Sequence, residues 1–397
     1  LRAYNYYELY TKFGDVPYTT KVLSIKESMS IARTAKATVI ANVLADLDEV
    51  INGNYLPTSY DADNKGRITR WAAMAIKAKI YLFEGNWTQV KNITSTIMTE
   101  GGFKLFGSYA GLFEIANEYN SEVILDAQYR PTSREHQMMY AFLPPSLGGY
   151  SQLSPLQELV DSYIMLDGKT IKETGTSFDE SNPYANRDPR LKATVMYTGN
   201  SYTLADGTEV VINCEKGEGK DGYGVGSDCS ATGYYIKKYW DNTYRATLYS
   251  GLNPILIRYA DILLMNAEAL AELGELDKMA WDATIKPIRD RAGFTLASAL
   301  EFPEGASKDK LIEIVRNERR SELALEGHRH KDIIRWRIAD DVLNGWCHGL
   351  KTNEVVGTDN GYVRVENRAF NANRHYLWPI PQAERDLNGN LEQNPNW

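Results

Sequence analysis

Two glutamates four positions apart, Glu318 and Glu322, lie in the segment LIEIVRNERRSELALEGHR and have the spacing best suited to catalysis. A helix from Leu311 to Leu325 places both carboxylates on its apolar face, where they could act as the acid and base of a glycoside hydrolase. Buried charges persist only when they are paired, however. We therefore interpret the pair as part of a buried ion-pair network, and we expect Glu318→Gln to destabilise the fold rather than to remove an activity. The cations expected to pair with these glutamates are Arg316, Arg319, Arg320 and Arg329.

The loop GYYIKKYWDNTYRATLYSG, residues 233–251, combines aromatic rings with polar side chains and is typical of a binding surface. Sugar rings present C–H faces that pack on aromatic planes, and Asn, Asp and Arg beside them meet the hydroxyls. We interpret Tyr235 and Tyr239 as strand residues that pack on the helices, whereas Trp240 and Tyr244 are expected to be exposed. The predicted carbohydrate-binding residues are Tyr223, Trp240, Asp241, Asn242, Tyr244 and Arg245.

The usual local sequence patterns of enzymes are absent. The chain has no P-loop, G-x-S-x-G or H-E-x-x-H motif, which disfavours nucleotide hydrolysis, serine-esterase and zincin chemistry. The loop DADNKG opens like a calcium loop at Asp61 and Asp63, but Ala72 stands where the bidentate Glu belongs, so we predict a turn. His328 and His330 face different directions on a helix and are interpreted as surface or capping residues. We expect no catalytic residue, metal or cofactor.

The cysteines and the charge distribution limit the partners further. Cys214 and Cys229 flank a glycine-rich loop, where they could form a disulfide in an oxidising compartment or remain free thiols, and no Cys/His spacing predicts a zinc site around them or Cys347. The net charge is −8 and the basic residues are scattered, so neither nucleic acid nor an anionic membrane surface is an expected partner. No apolar run approaches the ~20 residues that cross a bilayer.

Helical periodicity dominates the first hundred residues and returns after residue 253. The pattern predicts a helix over 34–51, a second in GRITRWAAMAIKAKIYLFEGNW that stops at Gly85, and a third from Trp87 to about Met98. The chain opens on LRAYNYYELYTKFG with neither an initiator Met nor a signal peptide. We therefore expect that an N-terminal segment is missing.

The helix, turn, helix unit recurs, because the spacing of Ala78 to Gly85 matches that of Ala267 to Gly274. This is a degenerate form of the tetratricopeptide pattern, whose period is about 34 residues. Residues 111–253 interrupt it with long polar and glycine-rich loops, in which KATVMYTG and GTEVVIN flank NSYTLAD and predict a short β-hairpin. The sequence thus predicts a mainly α fold, with a tetratricopeptide-like helical scaffold, a large loop-rich insertion and small β-hairpins.

Several segments resemble the SusD/RagB family and follow its order along the whole chain. LRAYNYYELYTKFGDVPY resembles the family's opening helix and FGDVP turn, and GRITRWAAMAIKAKIYLFEGNW its central alanine-rich helix. RDPRL, IRYADILLMNAEAL and IRDRAGF follow. The most specific segments are VRNERRSELALEGHRHKDIIRW and the ending YLWPIPQAERDLNGNLEQNPNW, which resembles the family's PIP and QNP close.

The resemblance implies a single SusD-like domain over 1–397 that lacks the family's N-terminal segment. Residues 1–110 and 254–340 would form the helical scaffold, and residues 111–253 and 341–397 a loop-rich layer that faces the ligand. It also implies a lipoprotein on the outer face of the outer membrane of Bacteroidota, with a lipid anchor that this chain lacks. Such a protein is expected to bind oligosaccharides or polysaccharides and to deliver them to a TonB-dependent, SusC-like transporter.

Two alternatives remain open at this point. A RagB-like peptide-binding component would use backbone donors or charged pockets more than exposed tryptophan faces. A glycoside hydrolase would need two carboxylates ~5 to 10 Å apart in a cleft beside the aromatic residues, and only Glu318 and Glu322 have suitable spacing. Glycan capture without catalysis is the function that we expect.

Overall fold

The computed structural model describes residues 1–243 and 248–397. The helices are α1 (Arg2–Phe13), α2 (Ile25–Ser28), α3 (Lys36–Asn52), α4 (Arg70–Phe83), α5 (Trp87–Glu100), α6 (Met138–Phe142), α7 (Gln157–Ser162), α8 (Pro189–Thr194), α9 (Tyr259–Leu273), α10 (Lys278–Ala292), α11 (Ala297–Leu300), α12 (Lys308–Glu322), α13 (Arg329–Arg335), α14 (Ala339–Val342) and α15 (Gln382–Leu387). The strands are β1 (Val123–Asp126), β2 (Val195–Met196), β3 (Ser201–Thr203), β4 (Glu209–Val211), β5 (Tyr235–Ile236), β6 (Ile255–Arg258), β7 (Gly345–Lys351), β8 (Thr358–Asp359) and β9 (Tyr362–Arg368).

The helical scaffold is built from the two predicted helix, turn, helix units, α4–α5 and α9–α10. Helix α4 packs on α5, and α9 packs on α5, α10 and α12. Alanines let these helices approach closely, and α9 is buried from Ala260 to Ala271. Gly85 and Gly274 follow the first helix of each unit at φ 71° and 74°, where any other residue would be strained. The predicted mainly α, tetratricopeptide-like fold is confirmed.

Short antiparallel strand pairs organise the loop-rich insertion. Strand β1 pairs with β6, β2 with β5, and β3 with β4. The β3–β4 pair is the predicted hairpin, but the predicted first arm, residues 192–199, is wrong. The first arm lies in the segment interpreted as the turn, because Tyr202 is fully buried in the core while Val195 and Met196 pair with β5.

A three-stranded sheet near the C-terminus, in the order β7–β9–β8, was not predicted from the sequence. Its register is irregular between Cys347 and His348 and again between His348 and Lys351, so the alternation of apolar and polar residues is broken. Helix α7 contacts β7 and connects the sheet to the rest of the chain. The sheet thus lies against the insertion rather than forming a separate unit.

The insertion has an apolar core of its own, which we call the insertion core. It lies apart from the scaffold core that is centred on α4 and α9. The buried members of the insertion core are Met139, Leu143, Val160, Tyr163, Leu191, Val195, Met196, Tyr202, Ile212, Cys214, Tyr234, Tyr235, Leu248 and Leu350. In the two described ranges, no helix has the length and apolar composition needed to cross a bilayer.

Candidate functional site

Glu322 lies at the centre of a buried ion-pair network. Its carboxylate accepts hydrogen bonds from Arg258 Nη1 at 2.6 Å and from Arg190 Nη1 at 2.8 Å, and it also pairs with Arg291. Glu318, one helical turn earlier, pairs with Arg190 and with Arg289, each at 2.7 Å. The ion-pair interpretation of the two glutamates is therefore confirmed.

The predicted partners of these glutamates are wrong. Arg316 pairs with Glu272, Arg319 pairs with Asp261 and Asp332, Arg320 donates to a backbone carbonyl, and Arg329 lies over Trp336. The true partners come from the segments RDPRL, IRYAD and IRDRAG, which the fold brings to α12. The predicted extent of the helix is also wrong, because α12 ends at Glu322 and Leu325 lies beyond it at φ 63°.

The network keeps both carboxylates ionised. Burial alone would raise the pKa of Glu318 and Glu322, but the surrounding arginines outweigh burial and hold both pKa values below the ordinary range. A general acid must carry a proton near neutral pH. This pair is therefore unsuited to the acid–base role in glycoside hydrolysis.

Lys238 joins the insertion to the scaffold at the edge of this network. Its ammonium donates to Glu326 Oε1 at 2.6 Å, to the Ala324 carbonyl at 2.8 Å and to the Tyr109 hydroxyl at 2.8 Å. The side chain is fully buried. These contacts fix the end of β5 and the segment that leads to Trp240.

Trp240 is half-buried on the insertion core. Its indole N–H donates to the Thr203 carbonyl at 2.8 Å, and its ring is tilted by 56° against the ring of Tyr202, with 5.0 Å between centroids. The ring is thus held in one orientation with only part of its surface open to solvent. Its exposure is lower than we expected, and its assignment as a sugar-binding residue stays a prediction.

The other predicted site residues differ in their environment. Asp241 is buried and accepts hydrogen bonds from Ser250 Oγ at 2.5 Å and from the Thr243 backbone N–H at 2.9 Å, so in this structure it shapes its own loop. Asn242 is half-buried, as is Tyr223, which packs on the insertion core. Tyr244 and Arg245 lie outside the described residues. Tyr235 and Tyr239 are buried, as predicted.

A stacked tyrosine pair beside the same core was not predicted from the sequence. Tyr140 and Tyr150 stack with 4.2 Å between ring centroids and 23° between planes, and Tyr150 is 41% exposed. The backbone N–H of Tyr150 donates to the carbonyl of Tyr140, which fixes the pair. Ten residues separate the two tyrosines, so no periodic pattern revealed them. We call Tyr140, Tyr150, Tyr223 and Trp240 the aromatic rim, because Tyr140, Tyr223 and Trp240 pack against the insertion core and Tyr150 stacks on Tyr140.

A groove of about 640 Å³ lies on another side of the insertion core and is also lined by tyrosines. The Tyr184 and Tyr234 hydroxyls are 3.2 Å apart, and Tyr234 donates to Gln157 Oε1 at 2.5 Å. Tyr362 and the Lys351–Glu180 ion pair, at 2.8 Å, complete this lining. We call it the tyrosine groove. Its mixture of rings and hydrogen-bonding groups also suits a sugar.

The cysteines are free thiols. Cys214 and Cys347 are buried, and the thiol of Cys229 donates to the Lys220 carbonyl at 3.2 Å. Between the two readings left open for Cys214 and Cys229, the structure supports the free thiols. Over residues 1–243 and 248–397, no three His, Cys, Asp or Glu side chains are grouped to hold a metal ion.

Two further predictions concern the calcium-like loop and the histidines. Asp61 accepts from the backbone N–H of Asn64 and caps a single 3₁₀ turn, in agreement with the predicted turn. His328 directly precedes α13, but its side chain makes no capping hydrogen bond. Its Nδ1 instead lies 3.3 Å from Lys79 Nζ, so the capping interpretation is wrong for this residue.

His348 bridges two carboxylates that belong to different elements. Its Nδ1 is 2.8 Å from Glu158 on α7, and its Nε2 is 3.0 Å from Asp359 on β8. Both nitrogens can donate only when the imidazole is protonated. Burial lowers the pKa of His348, but the hydrogen bonds to Asp359 and Glu158 outweigh burial and raise the pKa above its ordinary value.

We expect the contribution of His348 to stability to depend on pH. Because its folded-state pKa is raised, that contribution is fully present below about pH 6.5 and is lost as pH rises through the folded-state pKa. The difference in melting temperature between the wild type and His348→Gln should shrink from pH 5.5 to 8.5, as measured by circular dichroism. His375→Gln is the control, because His375 has no carboxylate partner among the residues that the structure describes. A difference that stays constant with pH would contradict the bridge.

Comparison with known proteins places these observations among related chains. A family model described as the SusD family matches residues 112–397, and a second, described as starch-binding associating with outer membrane, matches residues 1–82. SusD-like protein P25 of Formosa agariphila is 28% identical over 367 residues, which cover 86% of this chain and 63% of that protein. SusD-like protein P2 of the same organism is 27% identical and covers 99% of this chain and 72% of the relative. The chain therefore spans less than two thirds of the length of P25.

Solved structures share the fold. A SusD-like carbohydrate binding protein from Bacteroides fragilis superposes with a TM-score of 0.88 at 30% identity, over 98% of this chain and 78% of that one. A second SusD-like protein from the same species superposes with a TM-score of 0.83 at 28% identity, over 100% of this chain and 78% of the other. A laminarin binding SusD-like protein, 24% identical with a TM-score of 0.66 over 100% of this chain and 77% of that one, supports the fold alone.

Proposed function

Because the chain belongs to the SusD family, we propose that it binds a glycan with its loop-rich layer and delivers it to a TonB-dependent, SusC-like transporter. The protein acts as a lipoprotein on the outer face of the outer membrane. The observation that carries the proposal is the aromatic rim, whose rings lie against the insertion core. The carbohydrate binding named for the Bacteroides fragilis relative, at 30% identity, supports the ligand class.

The chemistry of the aromatic rim suits a sugar. The stacked Tyr140 and Tyr150 offer a flat surface, and Trp240 offers part of a ring whose orientation is fixed by its hydrogen bond to Thr203. Rings that are already ordered lose little conformational entropy when a ligand packs on them. Asn242, next to Trp240, is half-buried and supplies an amide for hydroxyl groups. Tyr244 and Arg245 stay predicted carbohydrate-binding residues.

The state of Glu318 and Glu322 favours glycan binding without catalysis. Glu318 and Glu322 are buried and ionised within the arginine network, so neither can protonate a leaving group. We therefore expect the protein to release no reducing ends from any polysaccharide that it binds.

The proposal predicts that Trp240→Ala weakens glycan binding. We expect the dissociation constant for a bound polysaccharide to rise roughly tenfold, which corresponds to about 1.4 kcal/mol, because the stacking surface is lost. Isothermal titration calorimetry against a panel of bacterial, algal and plant polysaccharides measures this change. Trp378→Ala is the matched control, because Trp378 is 44% exposed and contacts Phe13 of α1 rather than the insertion.

Other outcomes of the same experiment distinguish the alternatives. Equal affinity in the wild type and Trp240→Ala, with a loss in Tyr362→Ala, would place the glycan in the tyrosine groove instead of on the aromatic rim. Binding of peptides and of no polysaccharide would favour a RagB-like component. Release of reducing ends by the wild type would overturn the non-enzymatic function.

A further inference from the structure

A second pocket, of about 540 Å³, lies far along the chain from the aromatic loop, where α12, α13 and α14 meet α7 and β7. Its volume is in the range of small-molecule sites. Leucine and isoleucine side chains form much of its lining, together with several charged residues, and Trp346 lies at its edge, 43% exposed. The principal apolar residues of the lining are Leu156, Leu159, Leu323, Leu325, Ile333 and Leu343.

Two arginines in the wall of this pocket have no carboxylate partner. Arg320 makes one hydrogen bond, from Nη2 to the Glu158 carbonyl at 2.5 Å, and Arg329 lies over the ring of Trp336 with 5.9 Å to its centroid. Within residues 1–243 and 248–397, no carboxylate oxygen lies in ion-pairing distance of either guanidinium. The fully buried arginines Arg190, Arg258 and Arg319 are each paired with carboxylates, whereas these two half-buried guanidiniums are not.

The acidic residues of the pocket do not neutralise these two arginines. Glu158 is engaged by the ring and backbone N–H of His348, and Asp332 by Arg319 and Arg335. Asp341 lies at the exposed edge. Burial and the neighbouring charge of Arg320 together lower the pKa of Arg329 to about 10, although Asp332 acts in the opposite direction. At neutral pH both guanidiniums are still charged, and neither makes an ion pair with a carboxylate of the described residues.

The backbone at the pocket also shows strain. Leu325 adopts φ 63°, a conformation that costs a residue other than glycine free energy, and its side chain is 38% exposed while it lines the pocket. Hydrogen bonds from Lys238 to the Ala324 carbonyl and from Arg258 to the Glu322 carbonyl hold this segment in place. Backbone strain and exposed apolar side chains are both typical of ligand-binding sites.

We propose that this pocket binds an organic anion with one carboxylate on an aliphatic body, in which Arg320 and Arg329 hold the carboxylate and the leucines enclose the body. Guanidinium groups form strong, directional hydrogen bonds with carboxylates. A sugar fits less well, because part of its hydroxyls would face leucine side chains, which offer no hydrogen-bond partners. This ligand site is separate from the aromatic rim and does not depend on glycan binding.

Calorimetric titration of the protein with sodium octanoate tests the proposal. Octanoate carries both features of the ligand, whereas sodium acetate carries only the charge and 1-octanol only the aliphatic body. We expect octanoate to bind at least about tenfold more tightly than either, because a charge-assisted hydrogen bond and apolar burial both contribute. The intrinsic fluorescence change on binding should be lost in Trp346→Phe, which places the ligand in this pocket.

Arg329→Gln should weaken octanoate binding by at least about tenfold, the effect expected for loss of one charge-assisted hydrogen bond. Arg316→Gln is the matched control, because Arg316 also lies over Trp336, at 4.9 Å, but pairs with Glu272 and does not line the pocket. If Arg329→Gln fails to fold, Arg329→Lys replaces it and should show a smaller loss. The proposal is overturned if octanoate fails to bind at millimolar concentration, if 1-octanol or acetate matches it, or if Arg316→Gln loses as much affinity as the Arg329 variant.

Discussion

Replacing Glu322 by glutamine should lower the free energy of unfolding by about 3 to 5 kcal/mol, the range for removing one partner from a buried ion pair. The carboxylate accepts from Arg190 and Arg258 and pairs with Arg291, and all of these side chains are buried. The neutral amide would leave part of this positive charge uncompensated in a region that water does not reach. Urea denaturation followed by circular dichroism measures the change.

The control for this variant lies on the same helix. Glu313 of α12 is exposed and pairs with Lys310 at 3.2 Å on the surface. We expect Glu313→Gln to change stability by less than about 1 kcal/mol, since exposed ion pairs contribute little. Equal stability of Glu322→Gln and the wild type would show that the network is not required for the fold.

Replacing Lys238 by methionine should cost about 3 kcal/mol or more, because the ammonium is fully buried and satisfies several acceptors at once. Methionine keeps most of the aliphatic stem over the ring of Phe113, where Lys238 Nζ now lies 4.3 Å from the centroid. The carbonyl of Ala324 and the hydroxyl of Tyr109 would lose a partner. Differential scanning calorimetry should show a lower melting temperature.

The adjacent lysine provides the control. Lys237 is partly buried and donates to Asn200 Oδ1 at 3.1 Å, without a carboxylate in ion-pairing distance among the described residues. Lys237→Met is expected to cost less than about 1.5 kcal/mol, as for one ordinary hydrogen bond. A Lys238→Met protein that is as stable as Lys237→Met would argue against Lys238 as the connection between insertion and scaffold.

Lys238 also links stability to the proposed function. It lies two residues before Trp240. It also donates hydrogen bonds to Ala324 and Glu326, and Ala324 lines the pocket that contains Arg320 and Arg329. We expect Lys238→Met to perturb both surfaces, whereas Trp240→Ala and Arg329→Gln each affect one. Glycan and octanoate titrations on the three variants would separate these effects.

The helices were predictable because their signals are local. The prediction of 34–51 differs from α3 by one or two residues, and both helix, turn, helix units were identified from alanine spacing and a terminal glycine. The strands were harder, since β7 and β9 carry irregular register and β2 and β5 are two residues long. The β2–β5 pair, Val195 with Ile236, also joins segments that are distant in sequence.

The candidate site was predictable only in part. Residue type alone made Trp240 a candidate sugar-binding residue. Its half-buried ring donates a hydrogen bond to the Thr203 carbonyl, and this contact depends on how the β3–β4 hairpin packs. The Tyr140–Tyr150 pair had no sequence signal, because the stacking depends on how the loop between them folds back. Asp241 was expected to bind the hydroxyls of a sugar, but its carboxylate accepts a hydrogen bond from Ser250 Oγ in the same loop.

The paired glutamates show the same division between sequence and structure. The sequence by itself determined that Glu318 and Glu322 would be buried and ion-paired, because charge on an apolar helical face has no other stable state. Only the tertiary structure decided which arginines serve them, since Arg190 lies 132 residues from Glu322 and the nearer Arg320 and Arg329 face another pocket. Helical spacing specifies which face a side chain occupies, whereas the choice of partner depends on which distant segments pack against that face.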